Sequence, residues 1–275
     1  GPRRLSRGTV RDLLIGITVV RPDGRIARAG GKVVKNVAGY DLGKLYTGSY
    51  GTLGLVTECV FRLHPRPGTR AVVTAPVPAH ELGAVLAAVR AERVVPAAVE
   101  IDAPAGESAA HHRHFGSGVV EARRPGMVTV AVLVEGTASG VRDRAARLAK
   151  ALGGTVTEDP PGWWGRYPWP PGGTGVKVTA ALSRVPAVVA AAPGIALRGS
   201  AGTGVLYASL TGDVARQLEA LRTTAEHAVV LTAPPSVRDT VDMWGPVPGL
   251  ALMRRVKDQF DPAHRFAPGR FAGGI

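Results

Sequence analysis

The amino-acid sequence predicts an α+β fold, and three observations carry that prediction. Apolar and polar residues alternate over 14–20 and 55–63, the period of a half-buried strand. Apolar residues recur at helical spacing over 80–93, the period of a helix with one buried face. From residue 71 onward the elements follow the order β-α-β-β-α-β, and that order then partly returns.

The strand at 14–20 sets Ile15, Ile17 and Val19 on one side. In the turn at 21–25, Pro22 presets φ and Gly24 takes a positive one, after which 25–29 returns. The strand at 55–63 places Leu55, Thr57, Cys59, Phe61 and Leu63 on one face. Pro65-Arg66-Pro67-Gly68 breaks it and marks a domain boundary. Beyond that break, 71–75 is a strand, and the helix over 80–93 turns Leu82, Val85, Leu86 and Val89 inward. Strands follow at 98–102 and 128–135. Ser139 is the expected N-cap of a helix that buries Val141, Ala145, Leu148 and Leu152 and closes at Gly153. A strand at 155–158 ends the first set.

The second set runs through strand 176–180, an Ala/Val helix near 185–192, and strands 196–198 and 205–210. Asp213 then caps a helix with Val214, Leu218, Leu221 and Ala225 inward, before a strand at 229–232. Two ferredoxin-like halves of this order merge into one antiparallel sheet with helices on one face. An amphipathic helix over 250–260 leads into a closing Pro268-Gly269 turn.

Composition narrows the function. A chain of 275 residues holds one large or two small domains with an ample core. Its single cysteine, Cys59, excludes a disulfide framework and fits a reducing, cytoplasmic setting; its apolar strand predicts a buried, inert thiol. No apolar run reaches the length of a membrane span, so any membrane association goes through partner subunits. The net charge of +13 is spread without a run or aromatic interleaving, which argues against nucleic acid and suits an anionic ligand or an acidic partner.

The glycine-rich connection before Leu55 is the most informative stretch. It runs through Gly30-Gly31, Lys35-Asn36, Gly39-Tyr40-Asp41 and Gly48-Ser49-Tyr50-Gly51-Thr52-Leu53-Gly54. It is far longer than a hairpin loop. Gly48, Gly51 and Gly54 remove side chains where backbone comes close to a neighbour, and a phosphate-bearing ligand held by backbone N–H groups is the usual reason. The spacing is not that of the Rossmann fingerprint, and a strand rather than a helix follows it.

This stretch resembles the second half of the PCMH-type, or vanillyl-alcohol-oxidase-type, FAD-binding domain, and within that family the FAD-binding glycolate oxidase subunits. Gly1-Pro2-Arg3-Arg4, Gly8 and Arg11-Asp12 are similar to a segment of the same family. So are Phe260-Asp261-Pro262 and the closing run Ala267-Pro268-Gly269-Arg270-Phe271-Ala272-Gly273-Gly274-Ile275. The resemblance covers both ends of the chain well and the middle loosely.

The resemblance implies an FAD-binding domain over 1–66, a ferredoxin-like cap over 67–240 and a return segment over 241–275. It implies FAD as cofactor, with Gly48, Ser49, Gly51, Thr52, Leu53, Gly54, Leu55, Val56 and Thr57 at its adenine end. It also implies a catalytic flavin subunit and an iron–sulfur subunit as partners, in a complex that oxidises a 2-hydroxy acid. Two alternatives stay open: a stand-alone FAD-dependent oxidoreductase on another small alcohol or hydroxy acid, and a non-catalytic assembly subunit with a vestigial flavin site. In the family a further glycine-rich lobe precedes this point and wraps the pyrophosphate, so tight FAD binding by these residues alone is not expected. The metal motif of the hydroxy-acid-oxidising relatives does not occur here, and no metal site or catalytic residue is assigned.

Several residues keep more than one reading. Lys35, Asn36, Tyr40 and Asp41 line the flavin or its ribityl chain, or else tie their own loop. Arg3 and Arg4 meet phosphate or one another, and Arg11-Asp12 reads as a local pair. His111, His112 and His114 look like a metal cluster but lack ligand spacing, which favours a solvated loop. Trp163, Trp164, Arg166 and Trp169 wall a pocket, dock a partner or cover the cap sheet. Trp244 packs where the chain returns to the flavin domain.

Overall fold

The computed structural model describes residues 1–32, 40–105 and 126–275. These divide into two compact units, Arg7–Pro65 with Pro246–Ile275, and Gly1–Ser6 with Arg66–Gly245. In chain order, α1 (Arg4–Arg7) and α2 (Val10–Leu13) precede β1 (Leu14–Val20), β2 (Ile26–Gly30), α3 (Leu42–Tyr46) and β3 (Leu55–Phe61). The larger unit then contributes β4 (Thr69–Pro78), α4 (Leu82–Ala91), β5 (Ala98–Ala103), β6 (Met127–Gly136), α5 (Ala138–Leu152) and β7 (Thr155–Thr157). It continues with β8 (Thr174–Thr179), α6 (Val185–Ala190), β9 (Ala196–Ser200), β10 (Val205–Leu210), α7 (Val214–Thr224), β11 (His227–Thr232) and α8 (Pro235–Arg238). The chain returns to the smaller unit with α9 (Leu250–Phe260). Among the described residues no helix is long and apolar enough to cross a membrane.

The smaller unit is built on an antiparallel sheet ordered β2-β1-β3. Gly24 closes the β1–β2 turn with φ 79°, and the Arg21 N–H donates to the Arg25 carbonyl. At the end of β2, Gly30 has φ 75°, and a Cβ there would stand 2.1 Å from the Ile15 carbonyl oxygen, so only glycine fits. Leu14, Ile17 and Val19 of β1 join Tyr46 and Leu53 in the core, with Val256 and Phe260 of α9 packed against them. Tyr46 meets Phe260 edge to face at 5.9 Å.

Three expectations for this unit are corrected. Val19 opposes Val56 while Thr18 opposes Glu58, so Thr57 forms a bulge that breaks the alternation expected over 55–63. β3 lies at the sheet edge, and Cys59 is exposed rather than buried. Arg11 and Asp12 do not bond each other. Asp12 forms a capping box with Thr9, and Arg11 donates to the Lys44 carbonyl.

The larger unit is an eight-stranded sheet ordered β11-β8-β10-β9-β5-β6-β4-β7, antiparallel throughout. Each half has the ferredoxin-like order, and the second strands of the halves, β5 and β9, pair at the seam. The helices α4 to α7 form one layer, and alternate strand residues such as Val73, Ile101, Val130, Val176, Leu197 and Leu206 pack beneath it. Asp213 caps α7 through the Arg216 N–H, as the sequence predicts. Thr137, not Ser139, stands at the N-cap of α5, because β6 runs on to Gly136 and the chain turns there.

Gly1–Ser6 belong to this larger unit, not with the residues that follow them. Arg3 pairs with Glu135 at 2.7 Å, and Leu5 packs against Gly202. Residues 241–245 also stay with it, since the Met243 carbonyl accepts from Val230 N–H.

Candidate functional site

The glycine-rich connection contains a helix that the sequence reading did not anticipate. Asp41 caps α3 by accepting from the Lys44 N–H, and its carboxylate meets Lys44 Nζ at 2.5 Å. That side-chain bond holds the Asp41 pKa below its usual value. Tyr40, just before it, is 94% exposed. Lys35 and Asn36 lie outside the described residues, as do His111, His112 and His114.

After α3 the chain coils tightly. The Ser49 N–H donates to Tyr46 O, and both the N–H and hydroxyl of Thr52 donate to Ser49 O. Gly48, Tyr50 and Gly51 take φ of 90°, 57° and 77°, so three left-handed residues fall within four positions. A Cβ at Gly48 or Gly51 would meet no atom within 4 Å. Their glycine character serves backbone conformation and leaves the space above them open. Gly54 differs: its Cβ would stand 3.0 Å from the Val20 carbonyl oxygen and 3.2 Å from the Tyr46 ring. The close neighbour at Gly54 is therefore β1 itself. Leu53 is core, and Thr52 is buried.

The strand that follows presents Leu55 and Val56 to solvent, and the Thr57 hydroxyl donates to the Thr18 carbonyl. Among the described residues the outer edge of β3 has no partner strand.

A buried ion pair anchors the coil from below. Lys257 Nζ donates to the Thr52 carbonyl at 2.7 Å, to Asp261 Oδ2 at 2.6 Å and to the Phe266 carbonyl at 2.9 Å. Asp261 in turn accepts from the N–H groups of Arg265 and Phe266. Burial pushes the Asp261 carboxyl up, but the bonds from Lys257, Phe266 and Arg265 outweigh it and leave the pKa below its usual value. Asp261 belonged to the recognised closing run with no role attached, and Lys257 was missed. Their i,i+4 spacing at the end of the last helix was the available signal.

The aromatic loop lies in the larger unit. Trp163 and Trp164 pack on Val72, Ala97, Ala98, Ala131 and Leu133, on the sheet face away from the helices. They are half-buried, in keeping with the reading in which they cover the sheet. Trp169 stacks on Tyr167 at 4.4 Å and lies over Gly175, where a Cβ would strike its ring. Arg166 is exposed. Trp244 N–H donates to Asp242 within the same unit.

No family model matches the chain. It is 51% identical over 75 residues to glycolate oxidase subunit GlcD of Bacillus subtilis, covering 27% of this chain and 16% of that protein. It is 51% identical over 67 residues to glycolate oxidase subunit GlcE of Escherichia coli, covering 24% of this chain and 19% of that one. The chain thus spans under one fifth of the length of either curated relative in these matches. In structure it superposes on a VAO-type flavoprotein from Myceliophthora thermophila with a TM-score of 0.53 at 15% identity, covering 97% of this chain and 57% of that one. In fold the chain is similar to this VAO-type flavoprotein, and in sequence part of it is similar to the two glycolate oxidase subunits.

Proposed function

We propose that this chain is the FAD-binding part of an oxidoreductase, working as a subunit of a multi-subunit glycolate oxidase. The observation that carries the reading is the left-handed coil at 48–51 running into β3, whose outer edge has no partner strand among the described residues. Glycines without neighbours let a phosphate oxygen approach backbone N–H groups. The main-chain groups of Leu55, Val56 and Thr57 suit the hydrogen-bonding edge of an adenine ring. Lys257 holds the coil through the Thr52 carbonyl, so the backbone is pre-set before a ligand arrives.

Of the four side chains assigned to the flavin by resemblance, Asp41 is engaged in capping α3, while Tyr40 stands open to a ligand. Lys35 and Asn36 keep that assignment on the resemblance alone. Bound flavin supplies the two-electron chemistry; the protein supplies its position. The two relatives are named as different subunits, GlcD and GlcE, which supports a complex with a second flavin subunit. The resemblance adds an iron–sulfur subunit, a 2-hydroxy acid as substrate of the complex, and a cytoplasmic setting.

The test is the full-length polypeptide co-expressed with its partner subunits. Flavin absorbance in the purified complex and glycolate-dependent dye reduction are expected. An intact complex without flavin overturns the reading. Residues 1–275 alone are expected to bind FAD negligibly, and a sub-micromolar constant from flavin fluorescence would contradict that.

A further inference from the structure

The connection from α4 to β5 holds its backbone in an unfavourable conformation. Arg93 has φ 51° and Val95 has φ 49°, both left-handed, and Pro96 follows. A branched Cβ suits that region worst, so a valine there costs backbone free energy. Val94, between the two, is core and anchors the turn. Among the described residues Val95 joins no core cluster, and it is 82% exposed.

Two arginines of α5 clamp this turn. Arg144 donates to the Val94 carbonyl at 3.1 Å and to the carbonyls of Glu135 and Gly140. Arg147 pairs with the Glu92 carboxylate at 3.0 Å and donates to the Glu92 carbonyl. Past the turn, the Ala97 N–H donates to the Leu133 carbonyl at 2.7 Å. The core needs Val94 inside, but it gains nothing from Val95 outside. A strained residue that its surroundings over-determine marks a functional contact. Arg90 and Arg93 flank Val95, exposed and without an ion pair among the described residues. The one carboxylate of the turn, Glu92, is already taken by Arg147.

We propose that Val95 is a docking knob, which enters an apolar socket rimmed by carboxylates on another subunit of the complex. The proposal rests on the reading of this chain as such a subunit. Arg90 and Arg93 select the acidic rim, and the clamped turn avoids the ordering cost of a mobile loop. A second copy of this chain suits the knob less, because the chain carries a net charge of +13 and like charges repel at contact. Trp163 and Trp164, by contrast, are occupied with their own sheet.

The experiment is size-exclusion, over graded concentrations, of the full-length polypeptide co-expressed with its partner subunits, with flavin absorbance and melting temperature read on the same samples. Val95→Asp sets a carboxylate against the acidic rim and is expected to abolish association with flavin content unchanged. Val95→Gly removes the side chain and the strain together. It is expected to raise the melting temperature of the isolated chain and to weaken association about tenfold, as the loss of one buried valine side chain should. Arg90→Glu combined with Arg93→Glu is expected to weaken association at least about tenfold. A stabilised Val95→Gly chain that associates as tightly as the parent overturns the proposal, since a valine of purely structural use gives that result. So does a complex that persists in Val95→Asp, or a flavin-loaded parent that elutes without partners. A parent complex without flavin overturns the flavin reading instead and leaves the knob standing. Self-association of the isolated chain, or its binding to vesicles of phosphatidylcholine and phosphatidylglycerol, that Val95→Asp removes would assign the knob to that partner and overturn the proposal as well.

Discussion

Lys257 of α9 and Asp261, the residue just past that helix's end, have Nζ and Oδ2 at 2.6 Å, and neither side chain is more than 1% exposed. All three ammonium donors are used, on Asp261 and on the carbonyls of Thr52 and Phe266. The pair ties the coil, the last helix and the closing segment together.

Lys257→Met leaves a buried carboxylate unpaired and two carbonyls without their donor. The expected loss is about 3–5 kcal/mol in urea unfolding. Lys257→Met combined with Asp261→Leu is expected to recover part of it, since no charge is then left buried. A single variant as stable as the parent would show that the pair is not an anchor.

Asp261 also sets the acid limb of stability. Its folded pKa lies below the ordinary 3.8, so its contribution is present above that value and is lost as pH falls through the folded one. Asp261→Asn is expected to lower the melting temperature at neutral pH and to flatten the decline on acidification below about pH 4. Thermal melts across that range provide the check.

Glu100 acts with the opposite sign. Its folded pKa of about 7 lies above the ordinary 4.5, so its contribution is fully present below 4.5 and is lost as pH rises through about 7. The full loss is on the order of 3 kcal/mol. Glu100→Gln is expected to match the parent near pH 5 and to exceed it in melting temperature near pH 8. Parallel curves for the two proteins would refute this.

The glycines of the coil separate into two kinds. Gly51→Val places a β-branched side chain at positive φ in the open space above the coil. In the full-length protein it is expected to abolish flavin retention; a purified variant with full flavin occupancy would remove the coil from the cofactor site. Gly54→Val meets the Val20 carbonyl and the Tyr46 ring instead, and its expected signature is a fall in melting temperature with or without flavin.

Trp164→Ala uncovers the apolar half of the sheet's second face. A loss of about 2–3 kcal/mol is expected, below the range for a fully buried tryptophan. Subunit association and flavin content are expected to stay normal. Dissociation on size-exclusion with an unchanged melting temperature would restore the partner-interface reading of this loop.

Much of the fold was legible from period alone. Leu82, Leu86 and Val89 in α4 and Val214, Leu218 and Leu221 in α7 are buried where their spacing placed them. The bulge at Thr57 was not legible, because an extra residue in a strand leaves no mark on an alternating pattern. Cys59 was misjudged because an apolar strand reads the same at an edge as at the centre. At the candidate site, Gly48, Gly51 and Gly54 drew attention together, yet only coordinates separate a turn's demand from a neighbour's. Lys257 escaped because a lysine on an amphipathic helix is ordinarily solvated.

The seam between β5 and β9 has one more consequence. β5 brings Glu100 and Asp102 to the second face, while the other half brings Arg198 and Lys177. Two halves with the same strand order therefore carry opposite charge where they meet. Were the first half to pair with another copy of itself along β5, carboxyls would crowd carboxyls across the join. The matched half instead offers Arg198 directly opposite Asp102, so the charges that equip the face also dictate which half completes the sheet.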